Sequence, residues 1–87
     1  MPYIGQKYRD DLDPLIKAFE AVEITPGMLN YTITKLVLQS LGKEIVVGYA
    51  EYAMMTGVLE NVKQELYARA VRPYEDKVMG RNGDVYL

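Results

Sequence analysis

Residues 48–71 read GYAEYAMMTGVLENVKQELYARAV, and the rest of the chain is placed by what this run becomes. Apolar side chains recur at Tyr52, Met55, Leu59, Val62 and Leu66, steps of three and four that line one face of a helix. Past Gly48, the run holds no Pro and one Gly, and most other positions carry good helix formers. At about 1.5 Å per residue it spans roughly 35 Å, the width of a small domain. Gly57 in its middle costs about 1 kcal/mol relative to Ala, which predicts the close approach of another helix there. Pro73 is expected to end or kink this helix near Arg72, because proline lacks the N–H and its ring meets the carbonyl four residues back.

Upstream, Asp13-Pro14 and Thr25-Pro26 each read as an N-cap followed by proline at the first helical position. The first predicts a short helix to about Glu23 with an apolar stripe at Leu12, Leu15, Ile16, Phe19 and Val22. The second predicts a helix ending at Gly42, with Leu29, Ile33, Leu36, Val37 and Ser40 or Leu41 on one face. Leu38 lies outside that face, so the second helix is apolar over more than half its circumference, as expected of a subunit interface. The three stripes are expected to meet in one core. Residues 42–48, GKEIVVG, are strand-like in content but have no partner run, and read as a connector. Residues 74–80 read as a short helical turn, and Asn82-Gly83 as a turn before a tail. The expectation is an all-α, single three-helix domain over 1–87, with one long C-terminal helix, an extended arm at 1–10 and a tail at 82–87.

Composition narrows the function classes. The chain has 87 residues, 49% of them apolar, a net charge of -2, and neither Cys nor His. Without those two residue types there is no thiolate nucleophile, imidazole base or Cys/His metal site. The charge balance gives no field for DNA or RNA as main partner, nor for an anionic membrane. No cofactor is expected. Residues 1–8 lack an apolar leader and no run reaches about 18 apolar residues, so the expected location is the cytoplasm. A chain this small buries only about 60–65% of its unfolded surface, which makes a homo-oligomer an expectation from size alone.

Two side-chain clusters invite chemistry. Glu20 with Glu23, and Glu60 with Glu65, are the carboxylates available for a Mg²⁺-dependent, all-α nucleotide hydrolase. The further i,i+3 or i,i+4 acids such a site needs are missing from the long helix, and solvated faces are the ordinary explanation. The second cluster is Tyr67, Arg69, Arg72, Tyr74, Glu75 and Lys77 around Pro73, with Asn30, Tyr31 and Lys35 on the second helix. Arginine offers bidentate donors to phosphate, and tyrosine a stacking face with a polar tip. Those are parts of a site for a nucleotide-like anion. The ordinary alternative pairs Arg72 with Glu75 or Asp76 and leaves the tyrosines sealing helix ends. In the tail, Val85 and Tyr86 are candidates for packing on a neighbouring subunit, with Asp84 capping the turn.

GMLNYTITKL (27–36), GVLENVKQELYARAVRPYEDKVMGRNGDVY (57–86) and the opening MPYI resemble a family of short proteins of unknown function from bacteriophage and bacterial genomes. LNY, RPYED and NGDVY are the most specific parts, while IVVGYAEYAM departs from the family pattern. The resemblance implies a small helical protein and no particular chemistry. Taken together, the favoured expectation is a non-enzymatic, homo-oligomeric binding protein that sequesters a small anionic molecule of a host. A module that binds a host protein and the Mg²⁺-dependent hydrolase remain as alternatives.

Overall fold

A computed structural model describes residues 2–43 and 46–87. It is all-α: α1 (Gln6–Lys17), α2 (Pro26–Leu41), α3 (Tyr49–Leu66) and α4 (Arg72–Asn82), with no strand among the described residues. A 3₁₀ turn (Ala18–Ala21) follows α1, and a π-helical turn (Tyr67–Val71) joins α3 to α4. The chain divides into two compact units, Met1–Met55 and Thr56–Leu87. Of the connector, Glu44 and Ile45 lie outside the described residues, and Val46 and Val47 are irregular.

In the first unit, α1 starts well before the expected Asp13. Gly5 is its N-cap, the Tyr8 and Arg9 N–H groups donate to the Gly5 carbonyl at 3.1 and 3.2 Å, and Arg9 Nε donates to the Ile4 carbonyl at 2.9 Å. The extended start is therefore confined to residues 2–5. Pro14 lies inside the helix rather than opening it, so the Asp10 carbonyl forgoes its helical donor. The good helix formers of QKYR and a Gln6–Asp10 side-chain hydrogen bond at 2.8 Å hold the preceding turns.

The second helix begins as its sequence predicts. Thr25 is extended, as a residue before proline must be, and its Oγ1 accepts from the Met28 N–H at 3.2 Å. Thr25→Ala removes that acceptor and is expected to cost about 1 kcal/mol, read from the urea midpoint at fixed protein concentration. Gly42 closes α2 in right-handed geometry, its N–H donating to the Leu38 carbonyl at 2.9 Å. Gly48 then starts α3: its carbonyl accepts from Tyr52 at 3.1 Å, and its N–H donates to Glu51 Oε2 at 3.3 Å, half of a capping box.

Pro73 does not end the long helix; residues 49–82 are helical throughout. In a regular α-helix the Pro73 ring would meet the Arg69 carbonyl. The chain widens instead, and the Arg72 N–H donates to the Tyr67 carbonyl five residues back. A π turn of this kind absorbs the proline without breaking the rod. The helix then runs to Asn82, past the expected stop at Gly80. Gly83 ends it with φ +91°, donating to the Met79 carbonyl at 2.8 Å.

The apolar stripes are present, and among the described residues most of their side chains stay exposed. Leu41, at 8% exposure, is the one buried hydrophobic among the described residues. Leu12, Leu15, Ile16, Phe19 and Val22 of the first stripe are all exposed, and so are Leu29, Ile33 and Leu36 of the second. The 9.9 kDa chain leaves 8039 Å² accessible. A monomeric globular protein of that mass leaves about 5,200 Å². Nor does another helix approach Gly57, where an added Cβ would meet nothing within 4 Å. Gly57→Ala is accordingly expected to raise stability by about 1 kcal/mol in a denaturant titration. A loss instead would mean that the backbone of a second copy sits against this position.

Candidate functional site

A concavity of about 750 Å³ belongs to the second unit. One face of the long helix supplies its floor. Tyr67, Val71, Glu75, Met79 and Asn82 follow one another at steps of four or three across the π turn, with Val78 beside them. Arg72 and Asp76 flank that face. The left-handed backbone at Gly83 then turns the chain back, so that Asp84, Val85 and Tyr86 form the far wall. Asp84 Oδ1 accepts from the Tyr86 N–H at 2.8 Å, a two-residue side-chain turn that fixes the direction of the tail.

This groove gathers five of the candidate residues from sequence: Tyr67, Arg72, Glu75, Val85 and Tyr86. Arg69, Tyr74 and Lys77 are in the same unit but do not line it. Asn30, Tyr31, Lys35 and Leu38 belong to the first unit. There, Lys35 Nζ lies 5.6 Å from the centre of the Tyr31 ring, a cation–π contact within α2, and the Thr34 hydroxyl donates to the Asn30 carbonyl at 2.8 Å. Tyr31 also borders a shallower apolar groove of about 300 Å³ with Phe19, Val22, Ile24 and Met28. Leu38 is 57% exposed.

Electrostatically, the large groove is acidic. Its lining holds one guanidinium, Arg72, and three carboxylates, those of Glu75, Asp76 and Asp84. From sequence, Glu75 belongs to the Tyr/Arg cluster, Asp76 is an alternative partner of Arg72 and Asp84 a cap, whereas Val71, Val78 and Met79 are not candidates. The available signal was the four-residue spacing from Tyr67 through Val71 to Glu75 and Met79, which continues across Pro73. Reading the proline as an end or a kink, with a separate short helix after it, hid that continuity.

The carboxylates proposed for Mg²⁺ do not form a cluster. Glu60 accepts from Gln64 Nε2 at 3.3 Å and lies 3.5 Å from Lys63 Nζ on the same helix. Among the described residues, no group of three or more acidic side chains is placed to hold a metal ion. No helix described is long and apolar enough to cross a membrane.

No curated protein and no solved structure matches the chain. The sequence does match a family across residues 1–85, nearly its full length. The chain therefore belongs to the family described as a domain of unknown function (DUF6899).

Proposed function

We propose that the protein is a non-enzymatic binding protein that works as a homo-oligomer. The observation that carries this reading is the exposure of the apolar stripes of α1 and α2, on a chain whose total accessible surface is about 2,800 Å² more than a monomer of this mass leaves. Two copies bring about 5,600 Å² of such excess, ample for an obligate homodimer interface, which buries 2,000–5,000 Å² or more. A second copy supplies the apolar surface that the stripes of α1 and α2 need.

The captured molecule in this reading is a small anion of nucleotide type, taken from a host by a bacteriophage-encoded protein. Stoichiometric capture requires affinity and abundance but no reacting group, which suits a chain without His or Cys. The groove of one chain disfavours an anion, because its carboxylates outnumber Arg72 three to one. Capture therefore draws on arginines and lysines that assembly brings together from different copies, Arg69, Arg72 and Lys35 among them. Titrating the assembled protein with a panel of linear and cyclic nucleotides tests this. Micromolar binding that Arg72→Ala and Arg69→Ala weaken tenfold or more is the expected result. No binding to any member at that concentration would contradict capture.

A second reading is a module that binds a host protein, and Val85 and Tyr86 favour it because they stand 91% and 94% exposed. Removing residues 82–87 would then abolish partner capture while leaving nucleotide binding intact.

A further inference from the structure

We propose that the tail of one chain docks in the acidic, apolar-floored groove of a second copy, and that the exchange is reciprocal. The proposal rests on the assembly reading above and adds to it the residues that meet. Val85 and Tyr86 border the 750 Å³ groove of their own chain, yet both are more than nine-tenths exposed. The reason lies in the backbone. Gly83, at φ +91°, and the hydrogen bond from the Tyr86 N–H to Asp84 Oδ1 set the tail alongside its helix with both side chains held out. The unit thus presents an apolar projection and an apolar recess a few residues apart, Val85 and Tyr86 beside Val71, Val78 and Met79.

A twofold contact uses the same patch on both chains, so that patch must be complementary to itself. A projection next to a recess meets that condition: each tail fills the groove whose own tail fills the other. The Tyr86 hydroxyl then has carboxylate acceptors among the lining, Glu75 on the floor and Asp76 at its flank, while its ring meets the apolar Val71, Val78 and Met79. An aromatic side chain buries about 150–250 Å². Counting Val85, the matching groove surface and both tails, the exchange covers roughly 1,200 Å², the lower limit for a specific, stable interface. It therefore acts as one part of a larger contact that includes the helix stripes.

The chain has no cysteine, which makes cross-linking decisive. Chains carrying Tyr86→Cys are mixed with tagged, heavier chains carrying Met79→Cys and oxidised gently, with helicity and native mass recorded for each. In parallel, Tyr86→Ala is titrated for self-association. The expected result is a mixed disulfide pair as the main product, and a tenfold or greater rise in the dissociation constant for Tyr86→Ala. An assembly of normal mass that yields no mixed pair overturns the proposal and leaves the assembly reading standing. A disulfide closing within single chains that carry both substitutions, with none between chains, overturns it as well. A single-chain native mass for the unsubstituted protein overturns both. Should the cysteine variants lose their helicity, an unchanged dissociation constant for Tyr86→Ala is by itself enough to overturn the exchange.

Discussion

Leu38→Asp is expected to break the assembly into single chains at micromolar concentration and to lower thermal stability sharply. Leu38 is 57% exposed in the lone chain and stands beside the main stripe of α2. Burying a leucine contributes about 1.5–3 kcal/mol, and a symmetric contact contains the residue twice. The loss per pair of chains is therefore about 3–6 kcal/mol, two to four decades in the dissociation constant. A buried carboxylate adds its own desolvation cost. Gln39→Asp, one position along, is the control and should leave mass and stability nearly unchanged. Sedimentation across a range of concentrations reads both variants. Equal behaviour of the two would mean that this flank of α2 is not covered in solution.

Pro73→Ala has the second large effect, and its sign separates two properties that usually move together. The π turn from Tyr67 to Val71 opens because the Pro73 ring cannot sit against the Arg69 carbonyl. Alanine removes the ring and restores an N–H, so the turn can close to regular α geometry. A proline inside a helix costs about 3 kcal/mol relative to alanine, and most of that should return as helix stability. Closing the turn also rotates α4 about the helix axis relative to Tyr67. The face that joins Tyr67 and Val71 to Glu75 and Met79 is then dismantled, and the groove with it. Greater helicity of the dissociated chain together with weaker self-association is the expected pair of results. Lower helicity with unchanged assembly would show that something other than the proline holds the turn open.

Much of the fold was legible because it is encoded locally. Thr25-Pro26 announces α2 by capping chemistry that needs no tertiary partner, and the three-and-four spacing from Tyr52 to Leu66 announces α3. The prolines misled in both other places for one physical reason. Asp13-Pro14 reads as a helix start and Pro73 as an end or a kink, since proline usually marks one or the other. Here the surrounding helix formers outweigh the lost hydrogen bond at Pro14, and a widened turn avoids the clash at Pro73. That second misreading also hid half of the candidate site. Tyr67, Arg72, Val85 and Tyr86 were visible as residue types, whereas Glu75, Asp76 and Met79 belong to the groove only if the helix continues past Pro73. The core was the largest difference. Apolar stripes state that a face must be covered, but not by which chain, and here Leu41 alone among the described hydrophobics is buried.

The protein's self-association therefore carries the account, and the native mass of the unsubstituted chain tests it most directly. Light scattering on the purified protein, followed through dilution, should give a multiple of 9.9 kDa whose dissociation coincides with loss of helicity. A mass of one chain at every concentration, with cooperative unfolding that ignores dilution, would contradict it and would mean that the chain covers its own stripes.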